Sequence, residues 1–406
     1  MERVTELLLL PAKVSLLDIK RVLILVLDGV GIGALPDAHQ YGDEGSHTLK
    51  HISEKVTMKL PTLSKLGLSH IDQDLKIEKN TSPIGSFGKM LEASPGKDTS
   101  TGHWEMVGIH LDKPFPTFLN GFPKELIDQF IQKTGVGKIL GNKAASGTEI
   151  IKELGEEHLK TEYPIVYTSA DSVFQVACHE DIFPLEELYH LCKIARRLCD
   201  PYGIGRVIAR PFNGDSAKTF SRTPYRKDFV YELPEPMLLD FLTQQKVPVV
   251  GVGKISDIFN HQGVGRSLKT KSNVEGLNTT IQEMKTLKRG LLFTNLIDFD
   301  QQYGHRNDVE GYARALEELD QKLPDIMETI GSDGLMIITS DHGNDPTHPG
   351  TDHTREYVPL LVYSPSFQSK NLGIRKTFSD IGQTVAEIFG LAPLKQGTSF
   401  LKELMS

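Results

Sequence analysis

The sequence predicts an α/β protein built on a largely parallel central sheet flanked by helices, and three observations carry that expectation. Short apolar runs rich in β-branched residues recur along the chain, at residues 21–28, 165–171, 205–212, 247–254, 291–300, 335–342 and 358–365. Their hydrophobicity is continuous rather than alternating, which suits strands covered on both faces. Helical periodicity fills the gaps between them, so strand and helix alternate.

The first run, "RVLILVLD", has no polar residue between Val22 and Leu27 and ends on Asp28. Further along, Val309, Tyr312, Leu316, Leu319 and Leu323 step by three and four, predicting one long amphipathic helix. In "TFSDIGQTVAEIFGL" Ser379 is placed as an N-cap and Gly390 lies at the far end. Between about residues 112 and 235 the texture changes to "FPKELIDQFIQKTG", "LEELYHLCKIARRLC" and the Arg-, Pro- and Gly-bearing "ARPFNGDSAKTFSRTPYRKDF". A chain of 406 residues exceeds the size of a single growing core. The expected organisation is therefore an extension at residues 1–20, a core domain in two parts (21–111 and 236–406), and an inserted domain at 112–235.

Composition narrows the partners. Apolar residues make up 39% and charged residues 24%, ordinary for a soluble globular chain, and the formal charge is -8. An acidic balance with no basic concentration argues against nucleic acid or an anionic membrane as partner and favours small molecules. No obligate protein partner is indicated. Cys178, Cys192 and Cys199 lack metal-type or disulfide-framework spacing and suit reduced thiols, hence a cytoplasmic location. The stretch before Lys20 carries Glu2, Glu6 and Pro11 and makes a poor signal peptide; no run of about 18 apolar residues could span a bilayer.

The chemistry concentrates where strands end. Asp28 closes the first run, Asp298 and Asp300 close "LLFTNLIDFD", and Asp341 with His342 closes "LMIITSDH". In an open parallel sheet such ends share one edge, and ligands bind outside it. His305 follows Asp300 at five residues, and the loop "SDHGNDPTHPGTDHTREYVP" ends its histidine series at His353. Carboxylates mixed with imidazoles, without thiolates, suit Mn, Zn or another borderline divalent ion. Three clustered carboxylates repel one another, whereas two divalent ions would leave the site slightly positive and ready for a phosphate dianion. His348 and Asp352 are read as loop residues, since six ligands already suffice. "SPGKDTSTGHWEMVG" supplies the hydroxyls of Thr99, Ser100 and Thr101 but lacks the P-loop order. A threonine hydroxyl becomes a nucleophile when its proton is removed, as beside a divalent metal.

These segments, "LILVLDGVGIGALPDAHQYGDEGSHTL", "GKDTSTGHWEMVGI", "YTSADSVFQVACHED", "GRVIARPF", "SRTPYRKDF", "GKISDIF", "NLIDFDQQYGHRND" and "TSDHGNDPTHPGTDHTREYVPLLVYSP", occur in that order. Together they resemble the prokaryotic phosphopentomutase family of the alkaline phosphatase superfamily, from about residue 21 onward. The resemblance implies an alkaline-phosphatase-like core with an inserted α+β cap domain, two Mn ions, a sugar bisphosphate such as glucose 1,6-bisphosphate as activator, and interconversion of ribose or 2-deoxyribose 1-phosphate with the 5-phosphate. By position it places Asp28, Asp341 and His342 on one metal beside Thr99, and Asp300, His305 and His353 on the other. Thr99 would carry the phosphoryl group. Asp171, Arg210 and Lys254 would contact sugar or phosphate, with Arg222 and Arg226 as further candidates. Two positions depart from the family: Gly29 where Ser is frequent, and Ser100 where a larger apolar residue is frequent. Two rivals keep the metals and change the acceptor: a phosphomonoesterase and a relative of cofactor-independent phosphoglycerate mutase. A rival of another class is a non-catalytic metal-binding protein.

Overall fold

The computed structural model describes residues 19–169, 172–231 and 233–406, so most of the expected extension, and Asp171, lie outside the described residues. Strands β1 (Arg21–Leu27) and β2 (Ser86–Met90) belong to one sheet. Strands β3 (Leu140–Ala144), β4 (Ile165–Thr168), β5 (Val173–His179), β6 (Arg206–Asn213), β7 (Ser221–Arg222) and β8 (Lys227–Val230) form a second. The chain then returns to the first with β9 (Val249–Val252), β10 (Arg266–Leu268), β11 (Gly290–Leu296), β12 (Gly334–Thr339), β13 (Val358–Tyr363) and β14 (Asn371–Arg375).

The first sheet is eight-stranded in the order β10-β9-β11-β1-β12-β13-β2-β14. From β10 to β12 all neighbours are parallel; β13 alone runs antiparallel to both of its neighbours. The largely parallel α/β expectation therefore holds. β1 shows why its sequence has no polar alternation: Val22, Ile24 and Val26 enter one core while Leu23, Leu25 and Leu27 enter another on the opposite face. Helices Asn273–Thr286 and Val309–Ile330 cover the second of these cores, and Leu238–Gln244 and Ser379–Ile388 help cover the first. Each such side chain, fully enclosed, contributes about 1.5–3 kcal/mol through removal of apolar surface from water.

The second sheet is antiparallel in part, with helices Lys124–Thr134, Gly147–Thr161 and Leu185–Cys199 packed on it. The three cysteines are free and buried, and burial pushes their thiols up, Cys199 to about 12. Among the described residues no helix is long and apolar enough to cross a membrane.

Local details differ from expectation in two places. Ser379 is the first helical residue rather than the cap: its N–H is met by the Thr377 hydroxyl at 3.0 Å, two residues earlier. The run 291–300 leaves the sheet at Leu296 and passes into a π-type turn over Phe299–Tyr303, so Asp300 sits beyond the strand end.

Candidate metal and phosphate centre

The central strands β11, β1 and β12 lie side by side, and their carboxyl ends deliver Asp300, Asp28 and Asp341 to one edge of the sheet. Asp298, also at this edge, turns away and accepts from Asn273 N at 2.7 Å, holding the start of the helix Asn273–Thr286 that precedes β11. Two groups of ligand atoms converge, each with all atoms within 4.8 Å: Asp300 with His305 and His353, and Asp28 with Asp300 and His342. Asp341 adjoins the second group, its Oδ2 3.3 Å from His342 Nε2. Asp300 thus belongs to both groups. His348 bonds the Gly42 carbonyl at 3.0 Å, and Asp352 pairs with Lys97 at 3.3 Å, as loop residues would.

The carboxylates are held on one side and open on the other. Asp28 Oδ2 accepts from Asn295 Nδ2 at 2.7 Å, and Asp341 Oδ1 from Gly29 N at 3.2 Å. Their remaining oxygens, Asp28 Oδ1 and Asp341 Oδ2, are buried and make no hydrogen bond among the described residues, although a ring nitrogen of His103, already bonded to the Thr99 carbonyl, stands 3.2 Å from Asp341 Oδ2. A buried carboxylate oxygen without a donor is costly unless a cation meets it. The imidazoles are prepared in the same way. His342 Nδ1 faces the Gly343 carbonyl at 3.0 Å and His305 Nδ1 the Thr351 carbonyl at 2.6 Å, which leaves Nε2 of each as the ligating nitrogen. His305 and His353 bring their Nε2 atoms within 3.2 Å of each other, a contact a shared cation explains. Burial, then the charges of Asp341 and Asp300, push the Asp28 carboxyl well above the usual range. The donor set fits divalent cations with mixed oxygen and nitrogen preference.

Thr99 opens the helix Thr99–Met106, capped by Asp98, whose side chain accepts from Ser100 N and Thr101 N. Its Oγ1 lies 3.3 Å from His342 Nε2. Ser100 lines the same cleft, while Thr101 turns back to bond Asp98.

A cleft of ≈740 Å³ opens above these residues, floored by Thr99, Asp300, His305 and His353 and walled on the far side by the second sheet. Its size suits a small ligand. Arg210 projects into it, bonded to Gln175 Oε1 at 3.0 Å, and burial, then Arg226, lower its guanidinium to about 10. Lys254 stands on the floor side, 3.4 Å from Gln301 Oε1, held below its usual value by burial despite the opposing pull of Asp28. Arg226 lines the cleft as well, paired with Asp228 at 2.6 Å; Arg222 is absent from its lining. Sequence reasoning missed Arg206, also in the wall. The signal was present, because residues 206, 208 and 210 of one strand face the same side. It also missed Asn295 and Asn344, which orient Asp28 and Asp300. Asn295 is a lone amide in an apolar strand, and that was its only trace.

Comparison with known proteins places these features in context. A family model described as "Metalloenzyme superfamily" matches residues 20–393. The phosphopentomutase of Caldanaerobacter subterraneus subsp. tengcongensis is 56% identical over 388 residues, covering 95% of this chain and 98% of that one. Phosphopentomutases of Dictyoglomus turgidum (55% over 388 residues; 95% and 98% covered) and Thermotoga petrophila (55% over 385 residues; 94% and 98% covered) are similar to the same extent.

Proposed function

The chain belongs to the phosphopentomutases, isomerases within the metalloenzyme superfamily, and from that premise we propose that it moves a phosphoryl group between C1 and C5 of ribose or 2-deoxyribose through phospho-Thr99. The observation that carries the proposal is the placement of the Thr99 hydroxyl against His342, on the floor of a cleft whose opposite wall bears arginines.

Asp28, Asp341 and His342 would hold one Mn ion beside Thr99, and Asp300, His305 and His353 the other. Bound there, the two ions would lower the charge on the transferring phosphoryl oxygens and favour the ionised Thr99 oxygen. Thr99 takes and returns the phosphoryl group: its Oγ1–P bond breaks as the free sugar hydroxyl forms its own bond to phosphorus, and the proton that hydroxyl gives up is, on balance, the one that restores the Thr99 hydroxyl. The resulting 1,5-bisphosphate turns over in the cleft and gives its other phosphate back to Thr99. Arg210 and Lys254, with Asp171, bind the sugar phosphate, and Arg206 and Arg226 complete the wall; guanidinium forks match phosphate oxygens. Transfer to sugar must outrun transfer to water. Residues 112–235 act as a cap that excludes water when the cleft is filled. A sugar bisphosphate such as glucose 1,6-bisphosphate primes Thr99, the substrates are small molecules, and the enzyme works in the cytoplasm.

The test is conversion of ribose 1-phosphate to the 5-phosphate with Mn and catalytic bisphosphate. Thr99→Ala abolishes it, and inorganic phosphate as the main product of the wild-type protein would overturn the mutase reading.

A further inference from the structure

Four residues beyond Thr99, its helix buries a histidine that neither the ligand groups nor the cleft uses. His103 is fully enclosed, with its ring 5.9 Å from Phe293 in a stacked arrangement and edge-on to Phe259 at 6.5 Å. An apolar slot of this kind tolerates an imidazole only if both nitrogens are satisfied. They are. Nδ1 lies 2.8 Å from the Thr99 carbonyl oxygen and 3.2 Å from Asp341 Oδ2. Nε2 lies 3.4 Å from Asn295 Nδ2, the same amide nitrogen that donates to Asp28 Oδ2 at 2.7 Å.

The protons can be assigned from these partners. A carbonyl oxygen only accepts, so Nδ1 carries the hydrogen, and that N–H also faces Asp341. Nε2 then has a lone pair directed at an amide with two hydrogens, one already given to Asp28. Turning the Asn295 amide over would set its oxygen against the Asp28 carboxylate, so the donor orientation is the stable one. One neutral ring therefore touches the backbone of Thr99, the open oxygen of Asp341 and, through Asn295, the held oxygen of Asp28.

We infer that His103, as its Nδ1–H tautomer, is a positioning residue that keys Asp341 and Asp28 to the helix presenting Thr99. It acts through those carboxylates and touches no reacting atom. The inference rests on the proposed role of Asp28 and Asp341 as ligands of a divalent cation. Packing alone would make any flat side chain equivalent at this position, whereas positioning requires the nitrogens.

The test measures Mn²⁺ binding by isothermal titration, independently of turnover, alongside kcat, KM and melting temperature. His103→Phe keeps the ring stack and removes both nitrogens; Mn²⁺ affinity should fall by about 10–100-fold, as outer-shell losses do, with kcat reduced and KM for ribose 1-phosphate unchanged. His103→Asn places an amide near Nδ1 and should retain more Mn²⁺ affinity than His103→Gln, which reaches toward Nε2. Asn295→Leu leaves the helix intact and should weaken Mn²⁺ binding as His103→Phe does. Equal Mn²⁺ affinity across all four variants, or losses that follow melting temperature regardless of which nitrogen remains, would overturn the inference while leaving the metal centre standing. A wild-type protein that binds no Mn²⁺ would instead overturn the reading on which it rests.

Discussion

A Cβ on Gly102 would stand 2.1 Å from the carbonyl oxygen of Asp341, so the Thr99 helix and the end of β12 meet backbone to backbone. This contact sets how far Thr99 sits from the aspartate edge. Ala is a better helix former than Gly by about 1 kcal/mol, and helix propensity alone would make Gly102→Ala stabilising. The steric term decides the other way, because the opposing atom is backbone and cannot swing aside. Gly102→Ala should displace Thr99 from His342 and lower kcat on the order of 10²-fold, the cost of a misplacement of about 1 Å. Full activity in this variant would mean that the close approach does not set the position of Thr99.

Removing divalent cations should destabilise the protein as well as silence it. Asp28, Asp300 and Asp341 are buried together, and a ligand present at about 100 times its Kd adds roughly 2.7 kcal/mol to the folded state. Chelation should lower the melting temperature, with Mn restoring it and Ca failing to, since imidazole ligands suit Mn better than Ca. Asp300 is shared by both ligand groups. Asp300→Asn should therefore abolish Mn-induced stabilisation more completely than His305→Ala, read by thermal melting with and without the ion.

The sequence carried the ends of strands better than their surroundings. β1 was legible because both of its faces are buried, leaving an unbroken apolar run with Asp28 at its end. Asp341 and His342 were legible for the same reason. Strand β5, "VFQVACH", was not read as a strand: Gln175 and the cysteine blur its apolar run, although every residue in it is buried. Ser379 was misplaced because Phe378 occupies the cap position, and the Thr377 hydroxyl before it meets the first helical N–H. Asn295 and His103 stayed hidden for a deeper cause. Their partners lie 267 and 238 positions away in sequence, at Asp28 and Asp341: the register of β1 against β11 brings Asn295 to Asp28, and the close packing of the Thr99 helix on Asp341 brings His103 there.

Arg355, two residues past His353, ties the proposed ligand loop to the segment that precedes Thr99. Its guanidinium donates to Glu92 Oε2 at 2.6 Å, to the carbonyls of Ser94 and Gly96 at 2.9 and 2.7 Å, and to both Asp37 oxygens at 3.2 and 3.1 Å. A planar fork serves all of these at once, and a lysine cannot. Arg355→Met leaves Glu92 buried and unpaired and should cost about 3–5 kcal/mol in urea unfolding. Arg355→Lys should recover part of that stability yet little activity, because the segment before Thr99 loses its bonds. Equal recovery of both would show that only the charge matters.

Glu356 gives the fold a pH dependence of its own. It is buried, and although Thr354, the Thr48 backbone and the Thr48 hydroxyl donate to it, burial outweighs them and raises its carboxyl from 4.5 to about 7. A group that binds its proton more tightly when folded adds stability that is complete below 4.5, fades as pH rises through about 7, and is gone above it. The shift corresponds to roughly 3 kcal/mol across that window. Glu356→Gln keeps the shape, and the two threonine hydroxyls can turn to accept from the new amide. The variant should therefore lose the fall in stability between about pH 4.5 and 7 and exceed the wild type at pH 8. Chemical unfolding at four or five pH values checks it. A wild-type curve that stays flat over that window, or a variant that keeps the slope, would place the titration elsewhere.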